Sequence, residues 1–165
     1  SRITPLVKDR EDVMVMFAGV GPFAIEIAKA HPKTDVVAIE LNKNAYKYML
    51  ENIKLNKVPN VRAVNGNVKT VSKRFDGFAD RIVMPTPTSS LMFLDQAVKV
   101  AKKRCIVHIY AFGSSESAYD DVYGRIKEHA KENGYRIRLL LKRAVRPYSA
   151  KEVEIVLDYL IRKRI

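Results

Sequence analysis

The chain has 165 residues, 47% of them hydrophobic and 29% charged, which is the size of one globular domain with a substantial core and excludes a second full domain. Thirty Lys and Arg residues outnumber eighteen Asp and Glu residues and give a formal net charge of +12. This excess favours a polyanionic partner, in the first place RNA, over a surface of mixed ion pairs, which needs both signs in similar number.

Several other classes of protein are disfavoured by the same sequence. No stretch approaches the ~20 apolar residues of a membrane span, and the first residues lack the apolar core of a signal peptide, so we expect a cytoplasmic protein without membrane contact. Cys105 is the only cysteine, which rules out a disulfide within the chain, and we expect it to be a buried, inert thiol. The three histidines show no metal-ligand spacing. We therefore expect no metal site, and we expect a monomer.

Apolar segments rich in β-branched residues alternate along the chain with segments of helical period. The pattern predicts strands near 12–17, 35–39, 60–64, 79–84, 104–111, 135–143 and 152–160. It predicts helices at 22–30, 43–56, 89–102 and 117–133. Such alternation is typical of an α/β fold with a mainly parallel sheet flanked by helices.

The end of the chain departs from this alternation. Segments 135–143 and 152–160 are separated only by residues 144–151, too few for a crossover helix, so they are predicted to pair as an antiparallel hairpin. Five parallel strands followed by a hairpin that inserts one antiparallel strand is the pattern of the class I, Rossmann-like methyltransferase sheet. The sequence thus predicts a single domain of this class over residues 1–165.

The octet MFAGVGPF, residues 16–23, follows the first predicted strand and leads into the first helix. Gly19 and Gly21 permit backbone angles closed to other residues and allow a ligand to approach the main chain. Free N–H groups at the start of the helix favour an anionic group. Taken alone, the turn fits a nucleotide, an amino-acid moiety or a tight turn without a ligand.

Glu40 ends the second predicted strand, where an acid can accept both hydroxyls of a cofactor ribose. Enzymes that use NAD and enzymes that use S-adenosylmethionine share this arrangement. The turn lacks the third glycine of the dinucleotide fingerprint, and the hairpin is foreign to a dinucleotide fold, so S-adenosylmethionine is favoured. Asn67, after the third strand, is predicted to lie beside the adenine.

These stretches together resemble the archaeal and eukaryotic tRNA guanine-N1 methyltransferase family. The resemblance covers nearly the whole chain and is carried by Arg2-Ile3, the octet 16–23, Glu40-Leu41-Asn42, Asn52-Ile53-Lys54-Leu55-Asn56 and Val145-Arg146-Pro147-Tyr148-Ser149. It implies transfer of a methyl group from S-adenosylmethionine to N1 of the guanine 3′ of the anticodon in tRNA. By position it implies a cofactor site formed by Phe17, Ala18, Gly19 and Gly21 at the methionine end, Glu40 at the ribose and Asn67 at the adenine, with Leu41, Val68 and Met84.

Two departures from the family pattern concern the target base. The family has Asn-Leu-Pro or Asn-Pro-Pro after the fourth strand, whereas Pro85-Thr86-Pro87 here keeps only the last proline. These three residues are the candidates at the target-base loop, with the hydroxyls of Thr86, Thr88 or Ser89 as replacements for the lost amide. The same turn also fits a helix start capped by Ser89 or Ser90.

The second departure is the general base that the resemblance implies, a Glu just before the Arg2-Ile3 motif, which would fall upstream of Ser1. The chain is therefore expected to be the C-terminal catalytic part of a longer protein.

Three alternatives stay open at this point. A related wybutosine-pathway enzyme transfers the aminocarboxypropyl group of the same cofactor and also lacks the Asn after the fourth strand. A non-catalytic module that binds RNA or cofactor is motivated by Pro85. An NAD-dependent oxidoreductase is the most distant.

For RNA contacts, the hairpin loop is the preferred place. Arg146 and Tyr148 combine a basic and an aromatic side chain that can meet a phosphate and a stacked base together. Tyr110 and Phe112 at the end of the fifth strand are candidates to face the target. The other basic candidates are Lys99, Lys102, Lys103, Arg104, Arg136, Arg138, Lys142 and Arg143.

Overall fold

The computed structural model describes residues 1–165 and contains a seven-stranded sheet with helices on both sides. The strands are β1 Asp12–Val15, β2 Asp35–Glu40, β3 Val61–Asn65, β4 Ala79–Met84, β5 Ala101–Ser114, β6 Tyr135–Pro147 and β7 Glu152–Lys163. The helices are α1 Pro22–Ala30, α2 Lys43–Leu55, α3 Val68–Val71, α4 Leu94–Val100 and α5 Ala118–Glu132. Short 3-10 segments lie at Thr4–Leu6, Ser72–Phe75 and Ser90–Phe93.

The strand order is β3-β2-β1-β4-β5-β7-β6. The first five strands pair in parallel, and β7 lies antiparallel between β5 and β6. The predicted class of fold is confirmed, including the hairpin that inserts its second strand into the sheet.

Several boundaries differ from the sequence prediction. Strand β1 ends two residues before its predicted end, at Val15, and β5 extends three residues further at each end, over Ala101–Ser114. The helix predicted at 89–102 is wrong at both ends: it begins as a 3-10 turn at Ser90, and the chain becomes extended at Ala101, which pairs with Ala79. Helix α3 was not predicted, because four residues are too few to show a helical period. Strands β6 and β7 run past their predicted ends, since β6 stays paired as far as Pro147, opposite Val153, and β7 as far as Lys163, opposite Tyr135.

Two hydrophobic cores lie on opposite sides of the sheet. The smaller one joins α1, α2 and the first residues of the chain to β1, β2 and β3, and contains Ile27 and Met49. The larger one joins α3, α4 and α5 to the sheet and contains Cys105. That thiol is fully buried and burial raises its pKa, so the expectation of an inert cysteine is confirmed. No helix combines the length and the apolar character that crossing a membrane requires.

A polar network beneath the smaller core ties the N-terminal segment to the sheet. The guanidinium of Arg81 is 2% exposed and donates to both carboxylate oxygens of Glu11, at 2.7 and 3.0 Å. It also donates to Nε2 of His108 at 2.8 Å, and Arg2 donates twice to Asp158, at 2.7 and 2.9 Å. Five charged or titratable side chains from β4, β5, β7 and the N-terminal segment are thus held in one chain of contacts.

The protonation state of His108 follows from this geometry. A guanidinium can only donate, so Nε2 of His108 carries a lone pair and the ring is neutral. Its Nδ1 lies 2.8 Å from Asp158, off the line of a well-directed hydrogen bond. Burial lowers the pKa of His108. Burial opposes ionisation of Asp158, but the two hydrogen bonds from Arg2 and the close approach of the His108 ring outweigh it and lower the pKa of that carboxyl to about 2.

The depressed pKa of His108 makes the protein sensitive to mild acid. Below pH ~6.5 the unfolded chain binds a proton at this residue that the folded protein does not, so the free energy of unfolding falls as the pH is lowered. The slope is up to about 1.4 kcal/mol per pH unit. The His108→Gln variant, which keeps a neutral acceptor, is expected to lose this contribution in urea unfolding measured from pH 7 to 5. His129→Gln, at the surface, is the control and should keep it; an unchanged slope in His108→Gln would contradict the assignment.

Candidate functional site

The loops after β1, β2, β3 and β4 meet at one edge of the sheet, because the carboxyl ends of parallel strands lie together. Residues 16–21, 41–42, 66–67 and 85–90 form these loops. The residues predicted to hold a cofactor and those predicted to hold a target base therefore lie on neighbouring loops of the same edge.

The glycine turn between β1 and α1 is held in a left-handed conformation at three of its residues. Phe17 has φ +54°, Gly19 has φ +61° and Gly21 has φ +92°. The N–H of Ala18 donates to the carbonyl of Ile39 at 2.8 Å, which fastens the turn to the end of β2. A positive φ is unusual for a residue with a side chain, so the turn is fixed by its surroundings rather than by local preference.

The two glycines of the turn serve different purposes. A Cβ atom added at Gly21 would lie 2.9 Å from Cγ of Met49 and 3.2 Å from Cδ1 of Ile25, so the turn packs closely on α1 and α2. One added at Gly19 would meet no atom within 4 Å. Gly21 is thus a packing position, whereas Gly19 faces open space at the edge of the sheet.

Glu40 joins the first two loops. Its carboxylate accepts the N–H of Gly19 at 2.8 Å on one oxygen and the N–H of Asn42 at 2.7 Å on the other. Each oxygen keeps a lone pair for a further donor. The side chain of Leu41, next in the chain, is 65% exposed although it is apolar.

Asn65, at the end of β3, holds the backbone of the loop that carries Glu40, a role that was not predicted from the sequence. Its amide donates to the carbonyls of Glu40 and Leu41 at 2.9 and 3.1 Å. The only sequence signal was a polar residue at the end of an apolar strand.

Three other residues predicted to contact the cofactor also stabilise the fold: Asn67, Val68 and Met84. The side-chain oxygen of Asn67 accepts the N–H of Lys69 at 2.9 Å and caps α3. Val68 and Met84 are buried in the larger core. Asn67 is exposed and remains accessible from the edge.

The loop after β4 is organised by Ser90. The carbonyl of Thr86 accepts the N–H of Ser90 at 3.0 Å and its hydroxyl at 2.7 Å, and the hydroxyl also lies 3.0 Å from the carbonyl of Met84. Ser89 stands at the N-cap position of the 3-10 segment Ser90–Phe93, as the alternative predicted, but neither serine side chain accepts a helix N–H. The hydroxyls of Thr86 and Thr88 have no hydrogen-bond partner in the protein, and neither residue is buried.

An aromatic contact joins the glycine turn to this loop. The rings of Phe17 and Phe93 meet edge to face with centroids 4.9 Å apart, and Nζ of Lys69 lies 5.7 Å from the Phe93 centroid. No site role was predicted for Phe93 or Lys69, because their proximity depends on how three separate loops meet.

The tip of the β6–β7 hairpin lies at the same edge, because Phe112 near the end of β5 pairs with Glu154. Arg146 donates to Glu154 at 2.9 Å, with its side chain 74% exposed. Tyr148 stacks on Phe112 with ring centroids 4.3 Å apart. The two residues predicted to contact RNA are thus exposed and adjacent to the loops of the site.

Two of the other basic candidates are engaged elsewhere. Lys102 forms ion pairs with Asp12 and Asp80. Lys142 lies 5.2 Å from the ring centroid of Tyr119, on the α5 side of the sheet.

Comparison with known proteins yields matches along nearly the whole chain. The family model described as the TRM5/TYW2 methyltransferase domain matches residues 1–138. The chain is 36% identical over 161 residues to the tRNA (guanine(37)-N(1))-methyltransferase Trm5b of Pyrococcus abyssi, covering 97% of this chain and 47% of that protein. It is 32% identical over 157 residues to the tRNA(Phe) (4-demethylwyosine(37)-C(7)) aminocarboxypropyltransferase of Methanocaldococcus jannaschii, covering 95% of this chain and 62% of that protein.

The fold is shared with solved structures. The crystal structure of M. jannaschii TYW2 in complex with AdoMet superposes with a TM-score of 0.93 at 32% identity, over 99% of this chain and 74% of that one. The chain spans about half to three fifths of the length of the two relatives compared by sequence, 47% and 62%.

The two glycines allow a matched pair of substitutions. Gly21→Ala is expected to lower the free energy of unfolding by more than ~2 kcal/mol, because it adds a clash with Met49 to the cost of a left-handed alanine. Gly19→Ala should cost only the ~1 to 2 kcal/mol of the backbone conformation. Urea unfolding of both variants measures the difference, and equal losses would show that Gly21 is not a packing position.

Proposed function

Since the chain belongs to the TRM5/TYW2 methyltransferase domain family, we propose that it transfers a methyl group from S-adenosylmethionine to N1 of the guanine 3′ of the anticodon in tRNA. The observation that carries the proposal is the carboxylate of Glu40, which lies beside the open face of Gly19 at the edge where the loops meet. Two relatives are named for transfers to the base at position 37 of tRNA, which supports tRNA as the substrate.

The residues present fit the cofactor in three respects. The turn at Gly19 leaves open space beside the start of α1, whose free N–H groups suit the methionine carboxylate. The remaining lone pairs of Glu40 suit the two ribose hydroxyls. The exposed, apolar Leu41 offers a surface for the adenine ring.

When bound, S-adenosylmethionine supplies a methyl group on a positively charged sulfur. The acceptor nitrogen of guanine loses its proton as the new bond forms, so the protein must hold the base, accept that proton and stabilise charge on O6. The hydroxyls of Thr86 and Thr88 are suited to donate to O6. Pro85, Thr86 and Pro87 have no group that takes a proton near neutral pH, so the base comes from outside this loop, as the resemblance implies for a Glu upstream of Ser1.

We propose further that the chain acts as the catalytic domain of a longer cytoplasmic protein, which binds tRNA as a monomer and without a metal ion. The relatives' greater length supports this organisation. Arg146 and Tyr148 are proposed to meet the RNA next to the target nucleotide, because the hairpin tip lies at the same edge as the glycine turn.

The aminocarboxypropyl transfer remains a second candidate, and one observation favours it. Pro85 stands where the methyltransferases have an Asn, and the M. jannaschii relative is named for that transfer. A binding module without catalysis is the third possibility that the loss of the Asn allows.

Mass spectrometry of nucleosides separates these functions. Full-length protein is incubated with S-adenosylmethionine labelled in the methyl group and with tRNA that carries either guanosine or 4-demethylwyosine at position 37, the bases named for the two relatives, and the tRNA is digested. We expect guanosine at the position 3′ of the anticodon to gain one labelled methyl group. Gain of the larger, unlabelled group would assign aminocarboxypropyl transfer, and binding of cofactor without any gain would overturn the enzymatic proposal.

A substitution at Glu40 tests the cofactor site independently of transfer. Glu40→Gln removes the charged acceptor proposed for the ribose and is expected to weaken S-adenosylmethionine binding by about 10-fold to 100-fold, as for hydrogen bonds to a charged group. Calorimetric titration measures the affinity. Glu51→Gln, an exposed position on α2 without a hydrogen bond, is the matched control. Equal affinities of the two variants would exclude Glu40 from the site.

A further inference from the structure

Three arginines lie side by side across the C-terminal half of the sheet. Arg104 on β5 pairs with Arg162 on β7, and Arg162 pairs with Arg136 on β6. Directly opposite residues of antiparallel strands point to the same face, and adjacent strands are roughly 5 Å apart. The three guanidinium groups therefore extend from one face in a single row.

This row is unfavourable for the isolated protein. Like charges placed directly opposite each other in a sheet are destabilising. All three side chains are exposed, and none of the protein's ion pairs includes any of them. The positive charge is thus uncompensated within the chain.

A fourth arginine lies two residues beyond Arg136 along the edge strand β6. Arg138 pairs with Leu160, which lies two residues from Arg162 on the same face. Together with Arg136, Ile137 and Arg162 these residues line a shallow cavity of about 250 Å³. We name Arg104, Arg136, Arg138 and Arg162 the arginine face.

Protection of a sheet edge does not account for the arginine face. Charged side chains on an edge strand block pairing with other chains, which would explain Arg136 and Arg138 on β6. Arg104 and Arg162 belong to β5 and β7, which are interior strands with partners on both sides. Helix α5 packs on the opposite side of these strands, so it does not neutralise the row.

We propose that the arginine face binds the phosphate backbone of the RNA substrate at a distance from the modified nucleotide, and this inference rests on the function proposed above. Arg104 precedes Ile109 by five residues, and Ile109 pairs with Met84, the last residue of β4. At ~3.3 Å per residue the row lies roughly 17 Å from the edge that carries the cofactor loops. A target nucleotide at the edge and a stem of the same RNA along the sheet would occupy both places at once. Several guanidinium groups in a row suit successive phosphates and give no sequence preference.

The test compares two triple variants of the full-length protein that lose the same charge. One is Arg104→Gln/Arg136→Gln/Arg162→Gln. The matched control is Arg125→Gln/Lys127→Gln/Lys131→Gln, three exposed basic residues of α5 on the other side of the sheet. Binding of unmodified tRNA is measured at several salt concentrations, with S-adenosylmethionine affinity and urea unfolding measured alongside.

The arginine-face variant is expected to bind tRNA about 10-fold or more weakly than the control, with a salt slope lower by about 2 to 3, as for the loss of that many phosphate contacts. Its S-adenosylmethionine affinity should be unchanged. Its urea midpoint should stay the same or rise, because a like-charge row has been removed. A merely structural role would lower the midpoint instead.

Equal tRNA affinity and salt slope in the two triple variants would overturn the proposal. A second outcome would also overturn it: the arginine-face variant binds tRNA normally, but limited proteolysis releases its catalytic domain from the rest of the protein. The arginine face would then be a contact with another part of the same protein. These outcomes are separable from the proposed function: methyl transfer by the wild type with equal binding of both variants removes only the arginine face. Differential binding without any transfer removes only the enzymatic proposal.

Discussion

The buried guanidinium of Arg81 is the interaction on which the arrangement of the N-terminal segment depends. It has acceptors on three sides, in Glu11, His108 and the carbonyl of Leu6. A buried charge without partners is strongly unfavourable, so each of these contacts restricts where the segment can lie. Through His108 and Asp158 the restriction reaches Arg2, which opens the motif shared with the family. Proteins in which apolar residues replace a buried ion network are often no less stable than the original. We therefore interpret this network as fixing the position of the N-terminal segment rather than as adding to the free energy of unfolding.

The two halves of the site are fixed in different ways. The cofactor half is built from backbone groups and one carboxylate, with Glu40 bonded to both neighbouring loops and Asn65 below it. The target half depends on the single hydroxyl of Ser90, which gathers the ends of the loop while the hydroxyls of Thr86 and Thr88 stay without partners. Under the proposed function, the carbon on the sulfur that reacts is the one facing the target base. The choice between the transferred groups therefore depends on how the cofactor half orients the methionine end as well as on how the loop after β4 holds the base.

The elements that could be predicted from the sequence are those with a long, regular pattern. Alternation of β-branched strands and amphipathic helices gave the parallel sheet, and the short connection 144–151 gave the inserted hairpin. Helix α3 and the change from helix to strand at Ala101 could not be found this way, because four residues carry no period and Ala101 is extended only through its pairing with Ala79. Motif residues such as Gly19 and Glu40 were identified by type and spacing. Asn65 and Phe93 were not, since their roles exist only where separate loops meet, and Ser90 was predicted only as a helix cap. The row formed by Arg104, Arg162 and Arg136 likewise depends on strand register, which a single sequence does not reveal.

The left-handed conformation of Phe17 has a consequence for how a ligand is received. A residue with a side chain in this region costs about 1 to 3 kcal/mol and persists only when its surroundings determine it. Here the hydrogen bond from Ala18 to Ile39 and the contact between the Phe17 and Phe93 rings do so, and both are contacts within the protein. The turn is therefore preorganised, and the cofactor loses its own conformational freedom on binding while the protein backbone loses almost none. Preorganisation of this kind favours fast association, because no rearrangement of the turn has to precede binding.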